Sequence, residues 1–241
     1  MKKLLIISLI FSFNSFASKR LAKRVDYKTY FGECPSNVAG KLTLELMKTF
    51  EEKRSLKSVK EKIVANKLAD KYFLSEYQIS FDPIKDRIKF KFDCPEPLMK
   101  VQIYKNNGDE FYTAILADNG KLLDPTYEVL LRSEKILTKK LPHLAIPVKA
   151  LDGKLHEDMT RLISKMDPAF KKKISEVIIN ENNELTIILS VRNRPSSAFL
   201  GQNYWSEKLV KLEKIISFMK QKKRIPTVIN LTNSKKVVVK F

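Results

Sequence analysis

Residues 174–241 read ISEVIINENNELTIILSVRNRPSSAFLGQNYWSEKLVKLEKIISFMKQKKRIPTVINLTNSKKVVVKF. Ile174–Ile179 and Leu185–Leu189 are β-branched, apolar runs separated by Asn180-Glu181-Asn182-Asn183, the composition of two strands and a turn. Residues 205–220 place Trp205, Leu209, Leu212, Ile216 and Met219 on one helical face. Thr227–Thr232 and Lys235–Phe241 follow as strands joined through Asn233-Ser234. The order is two strands, a basic amphipathic helix and two strands, the last ending with the quoted sequence. A last strand of this kind is expected at a sheet edge, where unpaired N–H and C=O groups template another chain. That pattern suits a binding module better than an enzyme.

Upstream, Val25 to Glu33 carries Tyr27, Tyr30 and Phe31 and reads as a strand. A helix follows with Leu42, Leu46, Met47 and Phe50 on one face. A second helix carries Val59, Ile63 and Leu68, and Ser58-x-x-Glu61 predicts its capping box. Tyr77, Ile79 and Phe81 alternate, residues 82–86 turn, and Ile88, Phe90 and Phe92 alternate again. The fold class expected is α+β: a β-α-α-β-β unit, then a mixed β domain ending in a helix and an edge β-hairpin. In the second part Met99, Val101 and Ile103 alternate before the turn at 106–109, and Phe111 to Leu116 is the next strand. Asn119-Gly120 marks a tight turn, Tyr127 to Thr138 a short helix, Leu141 to Leu144 a buried extended segment, and His156 to Met166 a helix.

The first residues have the layout of a secretory signal. Lys2 and Lys3 precede an apolar stretch, Leu4 to Phe13, and Ser15-Phe16-Ala17 supplies small residues for cleavage after Ala17. The apolar run is short for a spanning helix of about 20 residues; the alternative is an uncleaved anchor at the inner membrane. Residues 19–24 form a basic lead-in. The expected location is periplasmic or otherwise extracytoplasmic. The formal charge is +19, which in a cytoplasmic protein suggests nucleic acid. A secreted chain points instead to anionic proteins, an anionic membrane surface or wall polymer, and no nucleic acid; the other reading is a lysine-rich solubilising surface. Cys34 and Cys94, each followed by proline, are the two cysteines. In an oxidising compartment they are a candidate disulfide, worth about 4 kcal/mol in the chain-entropy model; otherwise they are two buried thiols.

Catalytic signals are sparse. His143 and His156 lack partners at metal-ligand spacing. Glu157-Asp158 and Asp109-Glu110 are adjacent acids whose side chains diverge. No nucleophile elbow, P-loop or dinucleotide fingerprint occurs. The expectation is a non-enzyme with no catalytic residues, no metal and no cofactor. Trp205 reads as the start of its helix's apolar face or as an interface anchor. Lys208, Lys211, Lys214, Lys220, Lys222, Lys223 and Arg224, against Glu207 and Glu213, make the last helix and its exit basic, and Lys235, Lys236 and Lys240 extend this to the last strand. Two explanations stand: a platform for an acidic partner, or protection of an edge against unwanted pairing.

Several segments, in order, resemble the FtsQ/DivIB cell-division proteins, whose POTRA domain precedes a C-terminal β domain. Residues 79–90 resemble the POTRA hairpin, and Cys94-Pro95-Glu96-Pro97 stands where the family has an acidic-Arg-x-Pro element. Asn119-Gly120 with Leu123-Asp124, Leu141-Pro142-His143-Leu144, and Leu200-Gly201 before the helix with Leu209 and Leu212 follow in the family's sequence. Val228-Ile229-Asn230-Leu231-Thr232 running to Val237-Val238-Val239-Lys240-Phe241 is similar to its final hairpin. The resemblance covers residues 25–241 and implies a POTRA-like domain over 18–97 and an FtsQ-like β domain over 98–241, following the signal peptide read over 1–17. It departs where family members carry a cytoplasmic tail and a spanning helix, at Ala145-Ile146-Pro147, where a Gly is usual, and at Thr232 and Asn233, where Arg and Tyr are usual. What it implies is a divisome scaffold that receives proteins of the FtsB/FtsL type by strand addition. By position, the partner-binding residues are Asn233, Lys235, Lys236, Val238, Lys240 and Phe241. The alternative is a POTRA-type chaperone or assembly factor for envelope proteins, working through the edge of the first sheet.

Overall fold

The structure, a computed structural model, describes residues 25–105, 110–233 and 235–241. The expected leader over 1–17, the basic lead-in over 19–24, the turn at 106–109 and Ser234 lie outside the described residues. The fold is mixed α+β, with two sheets and eight helices among the described residues. None of those helices is long and apolar enough to cross a membrane.

The smaller sheet has the order β1-β3-β2, built from β1 (Asp26–Tyr30), β2 (Glu76–Asp82) and β3 (Arg87–Asp93). Its central strand alternates strictly: Ile88, Phe90 and Phe92 are fully buried, while Lys89 and Lys91 are exposed. Because β1 and β3 run parallel, a crossover must join the β1 side to the hairpin. The crossover is helical: α1 (Ser36–Lys53), α2 (Leu56–Ala65) and the one-turn α3 (Leu68–Lys71). Leu42, Leu46, Phe50, Val59 and Ile63 lay one apolar stripe on the sheet.

The capping box expected at Ser58 is displaced. Helix α2 starts one turn earlier, because Ser55 adopts an extended backbone and its hydroxyl accepts the Ser58 N–H at 3.3 Å. Leu68, expected on the same helix, belongs to α3 after Lys67 breaks the run at φ 47°.

The larger sheet has nine strands: β4 (Pro97–Tyr104), β5 (Phe111–Ala117), β6 (Leu122–Leu123), β7 (His143–Pro147), β8 (Ile174–Ile179), β9 (Leu185–Val191), β10 (Arg194–Gly201), β11 (Val228–Asn230) and β12 (Val238–Lys240). Their spatial order is β12-β11-β10-β9-β8-β7-β4-β5-β6. Helix α4 (Thr126–Ser133) precedes β7; α5 (Lys149–Asp152), α6 (Leu155–Ser164) and α7 (Pro168–Lys171) lie between β7 and β8; α8 (Trp205–Gln221) lies between β10 and β11. Strand β10 was not anticipated as a strand. Pro195, Ser196 and Ser197 dilute its apolar signal, and pairing with β9 on one side and β11 on the other makes it one. The final strands are shorter than the sequence suggests: β11 ends at Asn230 and β12 begins at Val238.

The two sheets share packing across the boundary at residue 97. On β5, Leu116 enters the larger core, whereas Ile115, on the opposite face, joins Tyr127, Leu131, Leu137 and Leu141 in the core of the first unit. Tyr127 donates its buried hydroxyl to the Pro95 carbonyl at 2.7 Å. Cys34 and Cys94 are joined, their Cα atoms 5.0 Å apart, and the bond ties the start of α1 to the link between the sheets.

Helix α1 has Pro35 at its N-cap, which offers no capping side chain. The cap comes from far along the chain: the Glu134 carboxylate accepts the Ser36 N–H at 2.6 Å and the Asn37 N–H at 3.1 Å. The Ser36 bond, then that from Asn37, holds this carboxyl below its ordinary value against the opposing effect of desolvation. Replacing Glu134 by Ala should destabilise the protein by about 1 kcal/mol, the usual worth of a cap. The folded carboxyl titrates below its unfolded value of about 4.3, so the contribution is complete above that pH and is lost as pH falls through the folded value. Urea unfolding of the wild type and Glu134→Ala at neutral and acid pH checks both points; the gap should close toward acid.

Candidate partner-binding edge

The outer end of the larger sheet is built by one crossover. Strand β11 runs parallel to β10, with Ser197, Ala198 and Phe199 opposite Val228, Ile229 and Asn230. Helix α8 makes the connection and buries Leu209, Leu212 and Ile216. Strand β12 then folds back antiparallel on β11, with Val228 opposite Lys240 and Asn230 opposite Val238. No described strand pairs with the far side of β12.

The turn from β10 into α8 is held by unusual backbone. Gly201 has φ +72°, and a Cβ there would lie 3.4 Å from the Thr232 methyl. Tyr204 is also left-handed, at φ 59°. These two steps bring the loop after β11 against the head of α8. Trp205 is the first residue of α8, half-buried against the larger core, and its indole N–H donates to the Gly201 carbonyl at 2.6 Å. Lys208 is buried, and its ammonium donates to the Leu200 carbonyl at 2.6 Å and reaches the Thr232 carbonyl at 3.5 Å. It therefore does not belong to the exposed basic platform; its charge is spent on stitching β10, α8 and the β11 exit together.

The six expected partner-binding residues fall into four groups. Asn233 is occupied by its own turn: its side-chain oxygen accepts the Lys235 N–H at 2.8 Å and the Lys236 N–H at 3.3 Å. Lys235 and Lys236 are exposed beyond it. Val238 and Lys240 are exposed on the sheet face opposite α8, while Val237 packs on the larger core. Val238 lies in a row with its half-buried partner Asn230 and the exposed Phe199. Phe241 is half-exposed, with the Arg224 guanidinium 3.9 Å from its ring centre, a cation–π contact that anchors the strand end to the exit of α8.

Beside this edge lies a recess of about 570 Å³ between α8 and the loop after β11. Tyr204, Glu207, Val210, Lys211, Lys214 and Asn233 line it, with Leu231 and the buried Lys208. Tyr204 and Val210 are largely exposed, and in the sequence they look like ordinary surface positions. Their only sequence signal is an apolar residue on an otherwise polar face. The two histidines are far from this edge in sequence and in element: His143 is exposed on β7, and His156 on α6 has a buried Nδ1 without a hydrogen-bond partner among the described residues. Glu157 is ion-paired with Lys154, and Asp158 with Arg161. Among the described residues no group of three or more metal-ligating side chains is placed to hold an ion.

No protein-family model matches the chain, and no curated protein matches it.

Replacing Lys208 by Met keeps the stem in its apolar setting and removes the donor to Leu200 and Thr232. The expected cost is about 2 kcal/mol, the scale of a hydrogen bond made by a charged group. Urea denaturation measures it, and amide exchange should rise first in residues 228–232.

Proposed function

We propose that this protein is a non-enzymatic scaffold of the cell-division machinery that works outside the cytoplasm and binds partner proteins by strand addition at β12. The observation that carries the reading is the position of β12 at the free end of a nine-stranded sheet. A joining strand finds main-chain groups along the edge and side-chain contacts on both faces. On one face stand Val238 and Lys240; on the other, the α8 recess presents Val210, Lys211 and Lys214. Lys235 and Lys236 add positive charge at the strand's entry, which suits an acidic segment and speeds its approach. The partners in this reading are division proteins of the FtsB/FtsL type.

The smaller unit supports the same assignment. Its order of strand, helices and hairpin, with β3 central, is compatible with the POTRA-like domain of this reading. The chain then combines a POTRA-like domain with an FtsQ-like β domain, exported by the N-terminal signal or held at the inner membrane by it. One observation favours a second reading: β2 is the outer strand of the smaller sheet, so residues 76–82 offer another edge. An envelope-protein chaperone or assembly factor would use that edge.

The two readings separate by truncation. Removing Lys235–Phe241 should abolish capture of division proteins from crosslinked envelopes, while the disulfide-tied first unit stays folded by circular dichroism. Lys235→Glu with Lys236→Glu should weaken capture about tenfold, most at low salt. Undiminished capture by the truncated chain, mapped to residues 76–82, would establish the chaperone reading instead.

A further inference from the structure

The junction of the two units carries a second recess, of about 500 Å³. Its inner wall is apolar and buried, formed by Pro95, Pro97, Tyr127, Leu131 and Leu137, and Ile136 stands 38% exposed at its mouth. The rim is acidic. Glu33, Glu96 and Asp118 are exposed around it, with Lys139 the one base in the lining. Lys139 is ion-paired with Glu96, which leaves Glu33 and Asp118 without an ion pair among the described residues. Asp118 is held in place by the Glu96 N–H, which donates to its carboxylate at 3.1 Å. The Tyr127 hydroxyl reports the field at the wall: burial raises its pKa first, and the charges of Asp118 and Glu33 raise it further.

This sign is contrary to that of the whole molecule, which has 46 basic and 27 acidic side chains. The distant lysines do not cancel it, because charges more than about 8 Å away are largely screened at physiological salt. Local carboxylates therefore decide what approaches, and the apolar wall decides what stays.

We infer that this recess is a second docking site, and that it takes a partner-protein segment in which a large apolar side chain is flanked by lysine or arginine. The apolar side chain enters between Pro97 and Leu137, and the flanking cations meet Glu33 and Asp118. The site is independent of the β12 edge: it lies on other elements, has the opposite charge, and selects a different peptide chemistry.

The test is a titration of the ¹⁵N-labelled full chain at physiological salt with three capped peptides, Gly-Lys-Leu-Arg-Gly, Gly-Lys-Gly-Arg-Gly and Gly-Glu-Leu-Glu-Gly. The first should give saturable amide shifts at Asp118, Tyr127 and Ile136; the other two should not. The double variant Glu33→Gln with Asp118→Asn should bind the first peptide about fivefold more weakly. Both side chains are exposed, and Asn keeps the oxygen that accepts the Glu96 N–H, so an unchanged thermal midpoint is expected. Absence of saturable shifts at millimolar peptide, shifts centred elsewhere, preference for the acidic peptide, or equal binding by the double variant would each overturn the inference.

Discussion

The parallel pairing of β10 with β11 is the constraint on which the outer end of this protein depends. Parallel neighbours cannot be joined by a tight turn, so a long crossover is required. Helix α8 is that crossover, and its apolar stripe covers the helical face of the sheet as it passes. The chain then re-enters beside β10 as β11, and β12 folds back outside it, antiparallel, so that the described sheet ends on β12. The free edge thus follows from the connection. So does the recess beside it, since the helix that makes the crossover also forms its wall.

The same logic sets the distribution of charge. Helix α8 must bury one face, and its lysines crowd the other three sides. The exception is Lys208, which lies in phase with Leu212 and Ile216 and is drawn inward. A buried ammonium is tolerated there because two carbonyls, left by the end of β10 and the loop after β11, face it. At the other end of the molecule, the link between the sheets gathers acids. Glu134 caps α1, Glu128 lies buried between Lys100 and Arg132, and Glu96 and Asp118 brace the link itself. For Glu128, burial opposes ionisation, but the hydrogen bonds from Lys100 and Arg132 outweigh it and hold the carboxyl below its ordinary value. The interior of the junction is thus organised around carboxylates and the outer edge around amines.

Local patterns made much of this legible in the sequence. The alternation at 77–81 and 88–92, the helical stripes of α1, α2 and α8, and the turns between strands are all short-range signals, and they mark the elements within a few residues. What escaped depends on residues distant in the chain. Strand β10 has a weak pattern of its own and is fixed by β9 and β11. The α1 cap is separated from its helix by nearly a hundred residues, with no local trace beyond a proline where a capping side chain is usual. Of the candidate site, the strand, its lysines and the aromatic end were visible. That Asn233 lies in the connection was also visible; that its side-chain oxygen is taken up by the Lys235 and Lys236 N–H groups was not. Lys208 could have been separated from Lys211 and Lys214, since its helical phase was present in the spacing.

An edge that recruits one partner, as proposed for β12, must refuse others, and the dimensions of the strand suit both demands. Three paired residues offer too few main-chain bonds to hold a passing strand by themselves. The lysines around it repel another copy of a protein as basic as this one. In the proposed reading, the two explanations of that charge, recruitment and protection, do not compete. A segment that is itself basic meets repulsion and gains little from three residues of ladder. An acidic segment loses the repulsion and gains the recess beside α8 and the Phe199–Asn230–Val238 row as well. The shortness of the strand is what makes the side chains decisive: where the backbone contributes little, specificity passes to the charges and apolar contacts on either face.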